Sequence, residues 1–228
     1  MTANQLPRLV AVAILSAAAG NAQSMDAVFA RMDKAAKQFK GVSANIRQMV
    51  HVAAVNDDSF DNGTMKLRKD RGDTRILVEF TQPNQKSVAI GDGEVRLYMP
   101  KARVVQVYDL RNKRATVEQG LLLGFGADSA DIKAHYETSY IGSEKVDGQA
   151  TSHIRLIPKE KEVLQSIKQA DLWILDTLGC PVQQRMTTSG AGDYTQITYS
   201  GIKLNPSLSD RDLKLSPPKG VQVQQVGK

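Results

Sequence analysis

Metal-binding or nucleophilic chemistry in this chain would have to rest on His51, His135, His153 and Cys180. The three histidines stand far apart, and neither a His-x-x-x-His nor a Cys-x-x-Cys spacing is present, so a zinc site is not expected. No Gly-x-Ser-x-Gly elbow occurs, and no glycine-rich phosphate loop opens a helix. The acids Asp57 and Asp58 fall in a turn-like run, where carboxylates usually stabilise the local backbone. Cys180 is the only cysteine, which excludes an intrachain disulfide. It lies in Leu178-Gly179-Cys180-Pro181, a break between two strand-like runs, and reads as a buried structural residue. These residues predict no enzyme, no metal and no cofactor.

The elements that would position a site begin after residue 22. Arg8 precedes an unbroken apolar run at 9–15, and small residues lead to Gly20-Asn21-Ala22. That order of charged start, apolar centre and small-x-small end reads as a signal peptide over 1–22, with a single domain over 23–228. The apolar run is shorter than the roughly 20 residues a spanning helix needs. Export makes nucleic acid a poor partner, so the net charge of +6 reads as a solvated basic surface.

Met25, Val28, Phe29, Met32, Ala35, Ala36 and Phe39 recur at helical spacing, with Ser24 or Asp26 as cap and Gly41 as stop. Beyond Gly41 the period becomes two. Val42, Ala44 and Ile46 alternate with polar residues, and a cluster at 58–63 reads as the following turn. Met65 and Leu67 form the next strand, and Ile76, Val78 and Phe80 alternate with Arg75, Leu77 and Glu79. Asp92-Gly93 is a two-residue hairpin signal between strands at 87–90 and 94–99. Val105 and Val107 share one side of a further strand. Helical tendency returns at 112–127 and 129–133, and strands resume at 136–143, 150–158, 169–177, 181–188 and 194–200. The tail carries Pro217 and Pro218 and reads as an edge segment.

The expected fold is mainly β with a few helices (α+β): a strongly curled antiparallel sheet of about ten strands forming an incomplete barrel. Its apolar concave face must be covered, and the N-terminal helix and the segment Leu121-Leu122-Leu123-Gly124-Phe125 are the candidates for a lid. A full covering makes a core and a loose one leaves a lipid-sized cavity; the pattern alone leaves both open.

Five motifs in order resemble the LolA-like family of periplasmic lipoprotein carriers and lipoprotein-sorting proteins. They are Phe39-Lys-Gly-Val-Ser-Ala-Asn-Ile-Arg-Gln48, Gly63-Thr-Met-Lys-Leu-Arg-Lys69, Phe80-Thr-Gln-Pro83, the hairpin from Ser87 to Pro100, and Leu215-Ser-Pro-Pro-Lys-Gly-Val221. The resemblance implies a monomeric carrier, soluble in the periplasm after signal cleavage, that shields acylated lipoprotein or lipid cargo between an inner-membrane ABC transporter and an outer-membrane receptor. It also implies a basic residue that governs lid closure and transfer, for which Arg68, Lys69 and Arg71 all qualify. The acyl-binding wall is expected from Met65, Leu67, Leu77, Leu97, Met99, Val105 and Val107, under a lid of Leu121, Leu122, Leu123 and Phe125. Gly120, Gly124 and Gly126 suit a hinging lid, and Met25, Met32, Met49, Met65 and Met99 an adaptable lining. The alternative is a lipoprotein-sensing interaction module of the RseB kind. Such modules usually carry an additional C-terminal domain, and a chain ending at Lys228, just after the closing motif, favours the carrier.

Overall fold

The computed structural model describes residues 24–70, 73–110, 123–188 and 192–226. The expected signal peptide, Arg71, Leu121 and Leu122 lie outside them. Helix α1 (Met25–Gln38) starts at Ser24, whose side chain accepts from the Ala27 N–H, and places Asp26 in its first turn and Lys37 in its last, as the helix dipole favours. Its stripe of Val28, Phe29 and Met32 is buried.

Twelve strands follow: β1 (Gly41–Val52), β2 (Asp57–Asp70), β3 (Asp73–Gln82), β4 (Lys86–Gly91), β5 (Glu94–Met99), β6 (Val104–Asp109), β7 (Tyr136–Val146), β8 (Gln149–Pro158), β9 (Ile167–Leu175), β10 (Pro181–Thr188), β11 (Tyr194–Leu204) and β12 (Gln222–Val226). Two short helices, α2 (Ser129–His135) and α3 (Lys161–Leu164), precede β7 and β9. All twelve strands form one sheet in the order β12-β6-β5-β4-β3-β2-β1-β11-β10-β9-β8-β7. Every pairing is antiparallel except β12 on β6. Among the described residues the sheet does not close, which makes it the expected incomplete barrel with edges at β12 and β7. The proline-bearing tail does end as an edge strand.

Turn chemistry sets the register. Asp92 and Gly93 both have positive φ (54° and 76°), as a tight hairpin requires, and Asp147-Gly148 repeats the arrangement between β7 and β8. The region 58–63 departs from expectation, because it is strand rather than turn, and β1 and β2 pair without interruption from Gly41–Arg68 to Val52–Asp57. Its outer side chains pair with each other: Arg47 lies over the Phe60 ring at 4.5 Å, and His51 Nδ1 is 2.8 Å from Asp58 Oδ1. Such a stretch lacks apolar alternation, so its pattern resembles a turn.

Gly63 permits the close approach of β2 and β3, since a Cβ there would collide with the Glu79 carbonyl. Gly63→Ala should cost about 1–3 kcal/mol in urea unfolding. Gly142→Ala, which meets nothing within 4 Å, serves as the near-neutral comparison.

Candidate functional site

The ladder divides the sheet residues into two faces. Leu67 pairs with Val42 and Ile76, Met65 with Ala44 and Val78, Ile90 with Ile76 and Val95, and Val88 with Val78 and Leu97. Directly paired residues share a face, so these apolar side chains line one continuous inner wall across β1–β5. The same face continues through Tyr199 of β11 to Leu172 and Ile174 of β9.

The two halves of the wall are filled differently. Over β8–β10, Val28, Phe29 and Met32 of α1 pack with Leu123, Ile132, Ile154, Leu156 and Leu172, and Leu172 is 0% exposed. Over β3–β5, Val78, Val88 and Val95 pack at the margin of the other core cluster and are only half-buried, as are Leu97 and Met99. One half is core. The other is also a core cluster, with Ile76, Phe80 and Ile90 buried, but Val78, Val88, Val95, Leu97 and Met99 beside it keep partial exposure.

Four of the expected wall residues, Met65, Leu67, Leu97 and Met99, share the inner face. Leu77, Val105 and Val107 do not. Leu77 pairs with Lys66 and Ala89, Val105 with Tyr98, and Val107 with Arg96, which places all three on the outer face although each is buried. Leu77 is covered by a second element: Leu213 is itself buried, and the segment around it crosses the outer side of β2–β4 beside Leu77. Met49 also faces outward, paired with Phe60 and Gln196.

Leu123 and Phe125 are both buried on the inner side. Phe125 meets Tyr199 edge-on at 5.1 Å. Gln184, 3% exposed, donates to the Leu123 carbonyl and accepts from the Tyr199 hydroxyl at 2.9 Å. A buried amide with both ends satisfied fixes the segment in one position. Gly124 and Gly126 have positive φ, and a Cβ at Gly126 would strike the Phe39 ring. They serve close approach here. Asp33 of α1 accepts from both the backbone N–H and the hydroxyl of Ser129, tying α1 to α2. Arg31 donates to Ser152 and Asp176 and fastens α1 to the sheet. The sequence patterns named neither Gln184 nor these ties.

The described candidates for the basic residue separate by face. Arg68 points outward, donating to the Leu208 carbonyl at 2.8 Å and to Asp210 at 2.5 Å, and Arg75 reaches the same carboxylate at 3.5 Å. The Arg68 hydrogen bond and the nearby Arg68 and Arg75 charges hold the Asp210 carboxyl below the usual carboxylate range. Lys69 points inward, and its Nζ donates to the Gly126 carbonyl at 3.3 Å.

Each histidine has a carboxylate partner. His135 Nδ1 lies 2.6 Å from Glu160 Oε1. His153, 7% exposed on the outer face, has Nδ1 2.7 Å from Glu144 Oε1 and Nε2 3.0 Å from Asp171 Oδ1, and stacks on Trp173 at 4.2 Å. Arg155 and Gln169 also donate to Asp171, and Trp173 Nε1–H donates to Glu144. The sequence patterns did not single out this cluster; the i, i+2 spacing of His153 with Arg155 and of Asp171 with Trp173 could have found it, since the pairing sets His153 opposite Trp173 and Arg155 opposite Asp171. Among the described residues no group of three or more His, Cys, Asp or Glu side chains is arranged to hold a metal ion.

No known family model matches the chain. An outer-membrane lipoprotein carrier protein of Neisseria gonorrhoeae is 26% identical over 98% of both chains. This chain is similar to that carrier along nearly its whole length. Among solved structures, an uncharacterized conserved protein from Thermus thermophilus superposes with a TM-score of 0.54 at 13% identity, over 89% of this chain and 99% of that one. MucB superposes with a TM-score of 0.53 at 14% identity, covering 88% of this chain and 66% of MucB. Both likenesses concern the fold. Among the described residues, no helix is long and apolar enough to cross a membrane.

The titratable groups make stability depend on pH. Burial opposes a charged His153, yet the hydrogen bonds and charges of Asp171 and Glu144 outweigh it and raise its pKa. A raised histidine stabilises the fold fully below its unfolded value near 6.5 and loses that contribution as pH rises through the folded value. Asp171 is shifted oppositely: burial would raise its pKa, but hydrogen bonds from His153 and Arg155 lower it. Its contribution is present above about 3.9 and lost as pH falls through the lowered value. The urea midpoint should therefore fall between pH 5.5 and pH 8.5, and His153→Asn should flatten that decline. Burial raises the Cys180 thiol to about 11, so it should resist iodoacetamide at pH 8 while folded and react once urea unfolds the chain.

Proposed function

We propose that this protein is an exported, non-enzymatic carrier that holds acyl chains of lipoproteins or lipids against the inner wall of the sheet. The observation that carries this reading is the unequal filling of that wall. One half is packed solid by α1, α2 and Leu123, while Val78, Val88, Val95, Leu97 and Met99 present half-buried apolar surface with no polar chemistry of their own. Acyl burial yields about 0.8 kcal/mol per CH₂ and needs area rather than specific contacts. Likeness to a named lipoprotein carrier along 98% of both chains supports the same reading.

Carriage in the periplasm, between an inner-membrane ABC transporter and an outer-membrane receptor, is the cycle such a carrier would serve. The lid in this proposal is the region that includes Leu121 and Leu122, with Leu123 and Phe125 as its anchored end. Lys69 is the proposed transfer residue, because it is the described basic candidate whose side chain reaches the lid side, at Gly126. The likeness to MucB speaks to fold alone and adds no separate support for a lipoprotein-sensing role.

Leu97→Asp should weaken binding of a fluorescent fatty acid by about tenfold or more, because a carboxylate in an apolar wall is costly to bury. Met49→Asp, on the opposite face, should leave binding unchanged. Equal binding by both variants would refute the assignment of the wall. Lys69→Ala should speed release of the same probe by about twofold, the equivalent of about 0.4 kcal/mol for one long, solvent-exposed hydrogen bond. Unaltered release would remove Lys69 from the transfer role.

A further inference from the structure

The outer face carries a second concavity, separate from the acyl wall. A groove of about 610 Å³ runs over β1, β2, β10 and β11, with Arg47 and Asp147 among its lining residues. That volume lies in the range of small-ligand sites, roughly 300–1,000 Å³. Its lining is dominated by side-chain amides and hydroxyls.

Part of this lining is ordered in advance. Gln183 Oε1 accepts from Gln196 Nε2 at 3.1 Å and from the Thr198 hydroxyl at 3.2 Å. Gln196 Oε1 in turn accepts two bonds from Arg185, whose guanidinium lies over the Tyr194 ring at 4.6 Å and the Trp173 ring at 5.6 Å. The stacked arginine thus fixes the amide row in one orientation. Other lining groups are not used in this way. The side chains of Asn45, Asn62, Thr64 and Ser200 make no hydrogen bond among the described residues. Asn45, Asn62 and Ser200 are also exposed.

We propose that this groove binds a hydroxyl-rich, glycan-type ligand. A sheet face presents side chains and keeps its backbone N–H and C=O groups in the ladder, so strand addition by a peptide is not available there. What the groove offers are amides and hydroxyls that both donate and accept, the complement of sugar hydroxyls and N-acetyl groups. With one guanidinium and one carboxylate in its lining, it suits a ligand without large net charge. This site is independent of the proposed acyl carriage.

The test is a titration of the ¹⁵N-labelled protein, following the side-chain amide resonances of Gln183 and Gln196. The probes are N-acetylglucosamine oligomers, solubilised peptidoglycan strands, and lipopolysaccharide core oligosaccharide freed of lipid A. A saturable shift is expected, with the Kd raised at least tenfold in Asn45→Ala/Asn62→Ala. Those positions are exposed and hold no side-chain bond among the described residues, so the variant should keep the urea midpoint of the parent. Saturation by peptidoglycan strands but not core oligosaccharide assigns the site to cell-wall glycan, and the reverse assigns it to the lipopolysaccharide saccharide. No saturable shift with any glycan, or an undiminished one in the variant, would overturn the proposal.

Discussion

An open sheet with one apolar face must have that face covered, and nearly every other feature of this protein answers to that requirement. Among the described residues, twelve strands that do not close expose far more inner surface than one 14-residue helix can shield. The chain responds unevenly. Helices α1 and α2 and the segment from Leu123 fill the wall over β8–β10, where Ile154, Leu156, Leu172 and Ile174 are fully buried. Polar ties hold this covering in register: Arg31 to Ser152 and Asp176, Asp33 to Ser129, and Gln184 between Leu123 and Tyr199. Over β3–β5 the wall residues Val78, Val88, Val95, Leu97 and Met99 are only half-buried, and the proposed carriage rests on that difference.

The outer face meets a different constraint, because a curled sheet also leaves a long convex surface in water. There the strands pair polar and aromatic groups with one another. His51 stacks on Tyr194 at 4.8 Å, Arg185 lies over Tyr194 and Trp173, and Trp173 stacks on His153, which Glu144 and Asp171 clasp from two sides. Buried charge in such a cluster is tolerable only because every member is hydrogen-bonded. The segment around Leu213 covers the other end of this face, clamped by Arg68 and Arg75 onto Asp210.

Period-two alternation and hairpin chemistry made most of the strands legible in the sequence, including β10 with both of its ends and the Asp92-Gly93 turn. The wall was only partly legible. Ile76, Val78 and Phe80 visibly alternate with Leu77, so one face could not contain all of them, yet apolar character alone does not say which side is inner. Val105 and Val107 show the same ambiguity: they do share a side, and the register with Tyr98 and Arg96 makes it the outer one. Sequence reading assumes one covered face, and here both faces are covered in places. Gln184 escaped notice because a lone glutamine in a strand carries no signal until the fold brings Leu123 and Tyr199 to its two ends.

Whether the loosely covered wall carries acyl chains is the central question, and native mass spectrometry of the gently purified protein addresses it most directly. The account predicts a bound phospholipid or acylated peptide that organic extraction removes and added lipid restores. A bare mass that takes up neither added lipid nor lipopeptide would mean that the inner face is solid core throughout, and would contradict it.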